Sequence, residues 1–77
     1  MFTKQEIIEI LRRRYKEGQK VKLIKMDDIQ APPPGTMGVV TGVDDAGHIH
    51  VKWETGSSLS LIYGEDVFEP IDEEETA

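Results

Sequence analysis

The sequence predicts a mainly β domain, a small five-stranded SH3-like barrel preceded by one N-terminal amphipathic α-helix. Three observations carry this expectation. Apolar residues recur at helical spacing only ahead of Gly18, and from Gln19 onward they alternate. The stretch after Gln19 breaks into five short apolar runs separated by turn signals. One long irregular loop follows the first run, as a small barrel allows, and closing so short a sheet would remove its exposed edges.

The helix is expected over residues 3–17. Thr3 is a good N-cap, and Glu6 three residues on completes a capping box, with Phe2 and Ile7 at the positions of a hydrophobic staple. Ile7, Ile8, Ile10, Leu11 and Tyr15 fall on one arc of about 160°. Arg14 falls inside that arc, whereas Arg12, Arg13 and Lys16 fall outside it. Gly18 is placed to end the helix with a positive φ.

The barrel is expected over residues 19–71. Val21, Leu23 and Lys25 share one face of the first strand, with Lys20, Lys22, Ile24 and Met26 on the other. Residues 27–35 cannot be regular, because Pro32, Pro33 and Pro34 remove three donors and Pro34-Gly35 is a turn signal. Met37 to Val43 reads as the second strand, where Gly38 and Gly42 permit bends or bulges. Asp44-Asp45-Ala46-Gly47 is a hairpin loop. His48 to Glu54 alternates, with Ile49, Val51 and Trp53 inward and His48, His50 and Lys52 outward. Thr55-Gly56 turns the chain into a fourth strand, Ser57 to Ile62, with Leu59 and Leu61 inward. Tyr63 to Asp66 is a tight connection into a short closing strand, Val67-Phe68, which Pro70 ends. Asp72 to Ala77 is expected to be an acidic, disordered tail.

A length of 77 residues allows one domain, 1–71, plus that tail. With no cysteine there is no disulfide and no thiolate metal site, which fits a cytoplasmic protein. No apolar run approaches a membrane span and no signal-peptide pattern opens the chain, so no membrane partner is expected. The net charge of −6 conceals a split. Residues 1–26 hold eight of the nine basic side chains and three acids, a balance of +5. Residues 27–77 hold Lys52 against twelve acids, a balance of −11. Such asymmetry points to electrostatic contact within the fold or with a partner.

The run Met26-Asp27-Asp28, then Ala31-Pro32-Pro33-Pro34-Gly35-Thr36, then Gly42-Val43-Asp44-Asp45-Ala46-Gly47 forms a specific pattern. It continues through Ile49-His50-Val51, Trp53 and Gly56-Ser57-Ser58-Leu59. The whole is similar to a small bacterial family, domain of unknown function 4314, found in chromosomes, mobile elements and phages. The likeness runs from the leading helix to about Ile71. Lys16-Glu17-Gly18 and Glu69-Pro70-Ile71 depart from the family's usual wording at element ends. The resemblance implies an SH3-like barrel and carries over no activity and no functional residue.

No catalytic set, metal set or cofactor is expected. Asp27-Asp28 and Asp44-Asp45 lack the alternating oxygen ligands of a calcium loop, and Asp-Asp-Ala-Gly is turn chemistry. His48 and His50 point to one side of a strand, where a third ligand would be needed and Lys52 would oppose a cation. Ser57, Ser58 and Ser60 lack a G-x-S-x-G frame, and no glycine run cradles phosphate, so no small-molecule substrate is indicated.

Two binding readings remain. SH3-like barrels take extended peptides beside the first long loop, which points to a protein partner at Asp27, Asp28, Pro33 and Tyr63. Trp53 is preferred as a core residue and Tyr63 as the exposed aromatic. The alternative is accessory nucleic-acid binding by Arg12, Arg13, Lys16, Lys20 and Lys22. Against it, the basic residues lack the interleaved set of aromatics that base stacking needs, Tyr15 being assigned to the apolar arc, and pairing of the basic segment with the acidic remainder is preferred.

Overall fold

The computed structural model describes residues 2–71, so the tail expected at 72–77 lies outside the described residues. The helix α1 (Lys4–Arg14) precedes strands β1 (Lys20–Lys25), β2 (Met37–Val43), β3 (His48–Trp53), β4 (Leu61–Ile62) and β5 (Val67–Ile71). The strands form one antiparallel sheet in the order β4-β3-β2-β1-β5, a four-strand meander with β5 returning to pair with β1. This is the expected mainly β small barrel with its leading helix. Between β4 and β5 the described residues show no ladder, and only an isolated Tyr63–Asp66 bridge spans the turn that joins them.

Both halves of the capping box form at the start of α1. Thr3 Oγ1 accepts from the Glu6 amide and Glu6 Oε1 from the Thr3 amide, each at 3.1 Å. The helix stops at Arg14, short of the expected residue 17. Tyr15 leaves helical geometry, with φ −118° and ψ 75°, and is buried with its ring 5.3 Å from that of Phe68. Burial raises its hydroxyl pKa above the usual value, against the opposing charge of Arg14. Gly18, at φ 93°, therefore serves the Lys16–Gln19 turn into β1 rather than a helix cap.

Val21 and Leu23 point into the core, but the alternation does not continue to Lys25. A register shift between Leu23 and Lys25 turns Lys25 outward, and Met26 packs against the core instead. A second shift between Val40 and Gly42 does the same in β2, bringing Val43 to the core and leaving Thr41 exposed. Such bulges add the local bend that a small, strongly curved sheet needs. In β3 the expected alternation holds throughout, with Ile49, Val51 and Trp53 buried.

The core joins Val21, Leu23, Val40, Ile49, Val51, Trp53 and Leu61 from the sheet to Leu11 of α1 and to its C-cap residue Tyr15. The fourth strand is shorter than expected, because residues 57–60 leave the ladder. The Leu59 carbonyl instead accepts the Trp53 indole N–H at 2.9 Å, and the Leu59 amide donates to Ser57 Oγ at 3.3 Å. Conversely, β5 runs on through Pro70, which pairs with Val21. As the last strand in the sheet order, β5 has a ladder on one side only among the described residues, so a missing N–H is tolerated.

Candidate functional site

The barrel brings two distant stretches together. The end of β1 and the start of the long loop supply Met26, Asp27 and Asp28. The segment around β4 supplies Leu59, Ser60, Ile62, Glu65 and Asp66 across a groove of about 400 Å³. Met26, Leu59 and Ile62 provide apolar surface and four carboxylates surround it.

Local hydrogen bonds place these acids. Asp28 Oδ1 accepts from the Gln30 amide at 2.7 Å and the Asp28 carbonyl from the Ala31 amide at 3.0 Å, so the chain turns at Asp28. That turn lets neighbouring Asp27 and Asp28 line one groove, where an extended chain would splay them apart. Opposite, Asp66 Oδ2 accepts from the Ile62 amide at 2.7 Å, and Gly64 at φ 95° permits the tight 63–66 connection. The floor is tied to the core through Leu59, whose carbonyl is fixed by the Trp53 indole. Trp53 is 2% exposed, a core residue that holds the groove from behind.

The other residues singled out by sequence lie elsewhere. Pro33 is exposed, and its carbonyl accepts the Thr36 amide at 3.1 Å and the Thr36 hydroxyl at 2.6 Å, closing the Pro34-Gly35 turn. Tyr63 is 53% exposed and lines a separate groove of about 390 Å³ with Phe2, Ile7, Ile10, Leu11 and Arg14. Tyr63 and Asp27-Asp28 therefore do not share one groove. Phe2 and Ile7, the expected staple pair, line the Tyr63 groove and both stay partly exposed.

The basic residues do not act as one surface. Arg12 reaches the β2–β3 hairpin, where Nη2 meets Asp45 Oδ1 at 2.8 Å and Nε donates to the Val43 carbonyl at 3.2 Å. Lys20 has an interaction partner, and Lys22 is half-buried opposite Glu69 in the β1–β5 ladder. Arg13 and Lys16 are exposed.

Sequence reading missed one polar cluster. Asp44 Oδ1 accepts from the amides of Ala46 and His48, each at 2.9 Å, and Asp44 Oδ2 lies 2.8 Å from His50 Nε2. Those backbone donors, chiefly His48, and then the His50 ring hold the Asp44 carboxyl down at about 2. On its other side His50 Nδ1 lies 3.3 Å from Ser60 Oγ. The row Ser60–His50–Asp44 has the order of nucleophile, base and orienting acid, yet the His50 and Asp44 side chains are substantially exposed, where water screens such coupling. Asp44 is first a turn staple, foreshadowed by Asp-Asp-Ala-Gly-His but not by helical or strand periodicity.

Among the described residues no group of three or more His, Cys, Asp or Glu is arranged to hold a metal ion. No helix among them is long and apolar enough to cross a membrane. Comparison with curated proteins finds no match. The profile of the family described as domain of unknown function (DUF4314) matches residues 4–71, which spans α1, strands β1 to β5 and the acidic groove. The chain belongs to the DUF4314 family.

Proposed function

We propose that this chain is a non-catalytic interaction module that takes an extended, basic protein segment in the acidic groove. The observation that supports this reading is the meeting of Asp27 and Asp28 with Glu65 and Asp66 around Met26, Leu59 and Ile62. Lys or Arg side chains of a partner would face the carboxylates, and its apolar side chains would rest on the floor. Met26 suits such a surface, because a thioether side chain adapts to different shapes. The groove lies beside the first long loop, where SH3-like barrels take peptides. Long-range attraction between opposite charges would speed association and weaken with salt. The cysteine-free sequence fits a cytoplasmic setting for such a partner.

The alternative, nucleic-acid binding through the basic helix and first strand, draws less support. Arg12 is engaged with Asp45 and Val43, Lys20 has a partner, and Lys22 is half-buried. Only Arg13 and Lys16 of the five are then readily offered to phosphate.

Fluorescence anisotropy with a labelled Arg/Pro/Leu peptide of about ten residues tests the reading. Binding that weakens with salt, and falls at least about fivefold in the Asp27→Asn/Asp28→Asn variant, is the expected result. Equal binding by that variant would overturn it.

A further inference from the structure

We infer that α1 carries a second interface, on which another copy of this chain packs antiparallel. The two-fold axis passes near Ile10, and Glu6 of each copy faces Arg13 of the other. The apolar arc of the helix is wider than the part that the barrel covers. Ile8, Leu11 and Tyr15 are buried. Ile7, Ile10 and Arg14 cluster within an arc of about 60° beside them and line the groove shared with Phe2 and Tyr63. Phe2 is 61% exposed and Ile7 40%, so this surface stays in contact with water in the single chain.

Charge complementarity selects the occupant. Glu6 and Arg13 are seven residues apart, so they share one flank of the uncovered face within about 20°. In an antiparallel pair of helices each flank meets the same flank of the copy. Glu6 then meets Arg13 twice, as a self-complementary two-fold interface requires. In a parallel pair that flank would meet the opposite flank of the copy, and Glu6 and Arg13 would have no counterpart in each other. Glu6 uses Oε1 for the capping box and retains Oε2, while Arg13 makes no ion pair among the described residues. An eleven-residue helix is about 16 Å long, too short to bury the ~1,200 Å² of a standard interface. The association is therefore weak and concentration-dependent.

Sedimentation velocity on the full chain, from micromolar to near-millimolar concentration, is the test. The mass-average is expected to rise from 8.7 kDa towards twice that value. Ile7→Lys should hold it at 8.7 kDa while amide-proton dispersion reports an intact fold. Arg13→Glu alone and Glu6→Arg alone should each weaken association by about tenfold, and mixing the two should restore it, because only the mixed pair is complementary at both contacts. A wild-type chain that stays monomeric throughout, an Ile7→Lys dimer of undiminished affinity, or a mixture no tighter than its components would each overturn the inference.

Discussion

Gly38 lies directly across the β2–β3 ladder from Trp53, and a β-carbon at Gly38 would sit 2.7 Å from Trp53 Cε3. The same carbon would sit 2.5 Å from Val51 Cγ1. Neither neighbour is the loose end of a flexible chain, since both are buried in the core. The large indole is accommodated because β2 contributes bare backbone at the crossing point.

Gly38→Ala is therefore expected to cost about 1–3 kcal/mol through overpacking. Gly42, in the same strand, has open space where its β-carbon would go, so Gly42→Ala should change stability by no more than about 0.5 kcal/mol. Urea unfolding of the two variants checks the contrast. Similar losses would show that β2 glycines act through backbone freedom and not through the Trp53 contact.

Trp53→Phe keeps an aromatic ring in the core but deletes the N–H that reaches the Leu59 carbonyl. The expected loss is about 1–3 kcal/mol, from a half-buried carbonyl left without its donor and from reduced packing. Amide exchange should accelerate at residues 57–60 more than in β1. Uniform acceleration would mean that the indole bond does not hold this segment specifically.

Asp44 sets an acid limit on stability. Its folded pKa is lowered from 3.8 to about 2, so its contribution is complete above about pH 4 and lost as pH falls towards 2. Thermal unfolding of wild type and Asp44→Asn should differ at pH 5 and 6 and converge towards pH 2. A gap that stays constant across that range would remove the carboxylate from the explanation.

The Arg12–Asp45 pair closes α1 onto the hairpin, yet both side chains are well exposed. A double-mutant cycle with Arg12→Ala and Asp45→Ala should give a coupling of about 0.2–1 kcal/mol, reduced by salt. A larger, salt-insensitive value would mean that the contact is shielded from water.

Much of this architecture was legible because its signals are local. The Thr3–Glu6 box, the Pro34-Gly35 turn and the alternation of Ile49, Val51 and Trp53 each lie within a few residues. The bulges that turn Lys25 outward and Val43 inward were not legible, since they answer to the curvature of the whole sheet. By its chemistry Pro70 predicts a stop, but its place on the last strand removes the cost of its missing N–H. The fourth strand is shorter than its apolar alternation predicts because the Trp53 indole, a side-chain donor, takes the Leu59 carbonyl. The acids Asp27 and Asp28 stood out in the sequence, while their partners Glu65 and Asp66 did not. Only the sheet order brings those two stretches together, and the Ile62–Asp66 turn leaves Tyr63 beside α1 instead.

The measurement that most directly tests the acidic groove as a binding site is residue-by-residue amide shift mapping on ¹⁵N-labelled protein, titrated separately with a basic Arg/Pro/Leu peptide and with a short single-stranded oligonucleotide. The expected result is that the peptide shifts residues 26–28 and 59–66, that Asp27→Asn/Asp28→Asn abolishes those shifts, and that the oligonucleotide leaves them unmoved. Peptide shifts absent from that groove, with oligonucleotide shifts at Arg13 and Lys16 that vanish at high salt, would contradict it.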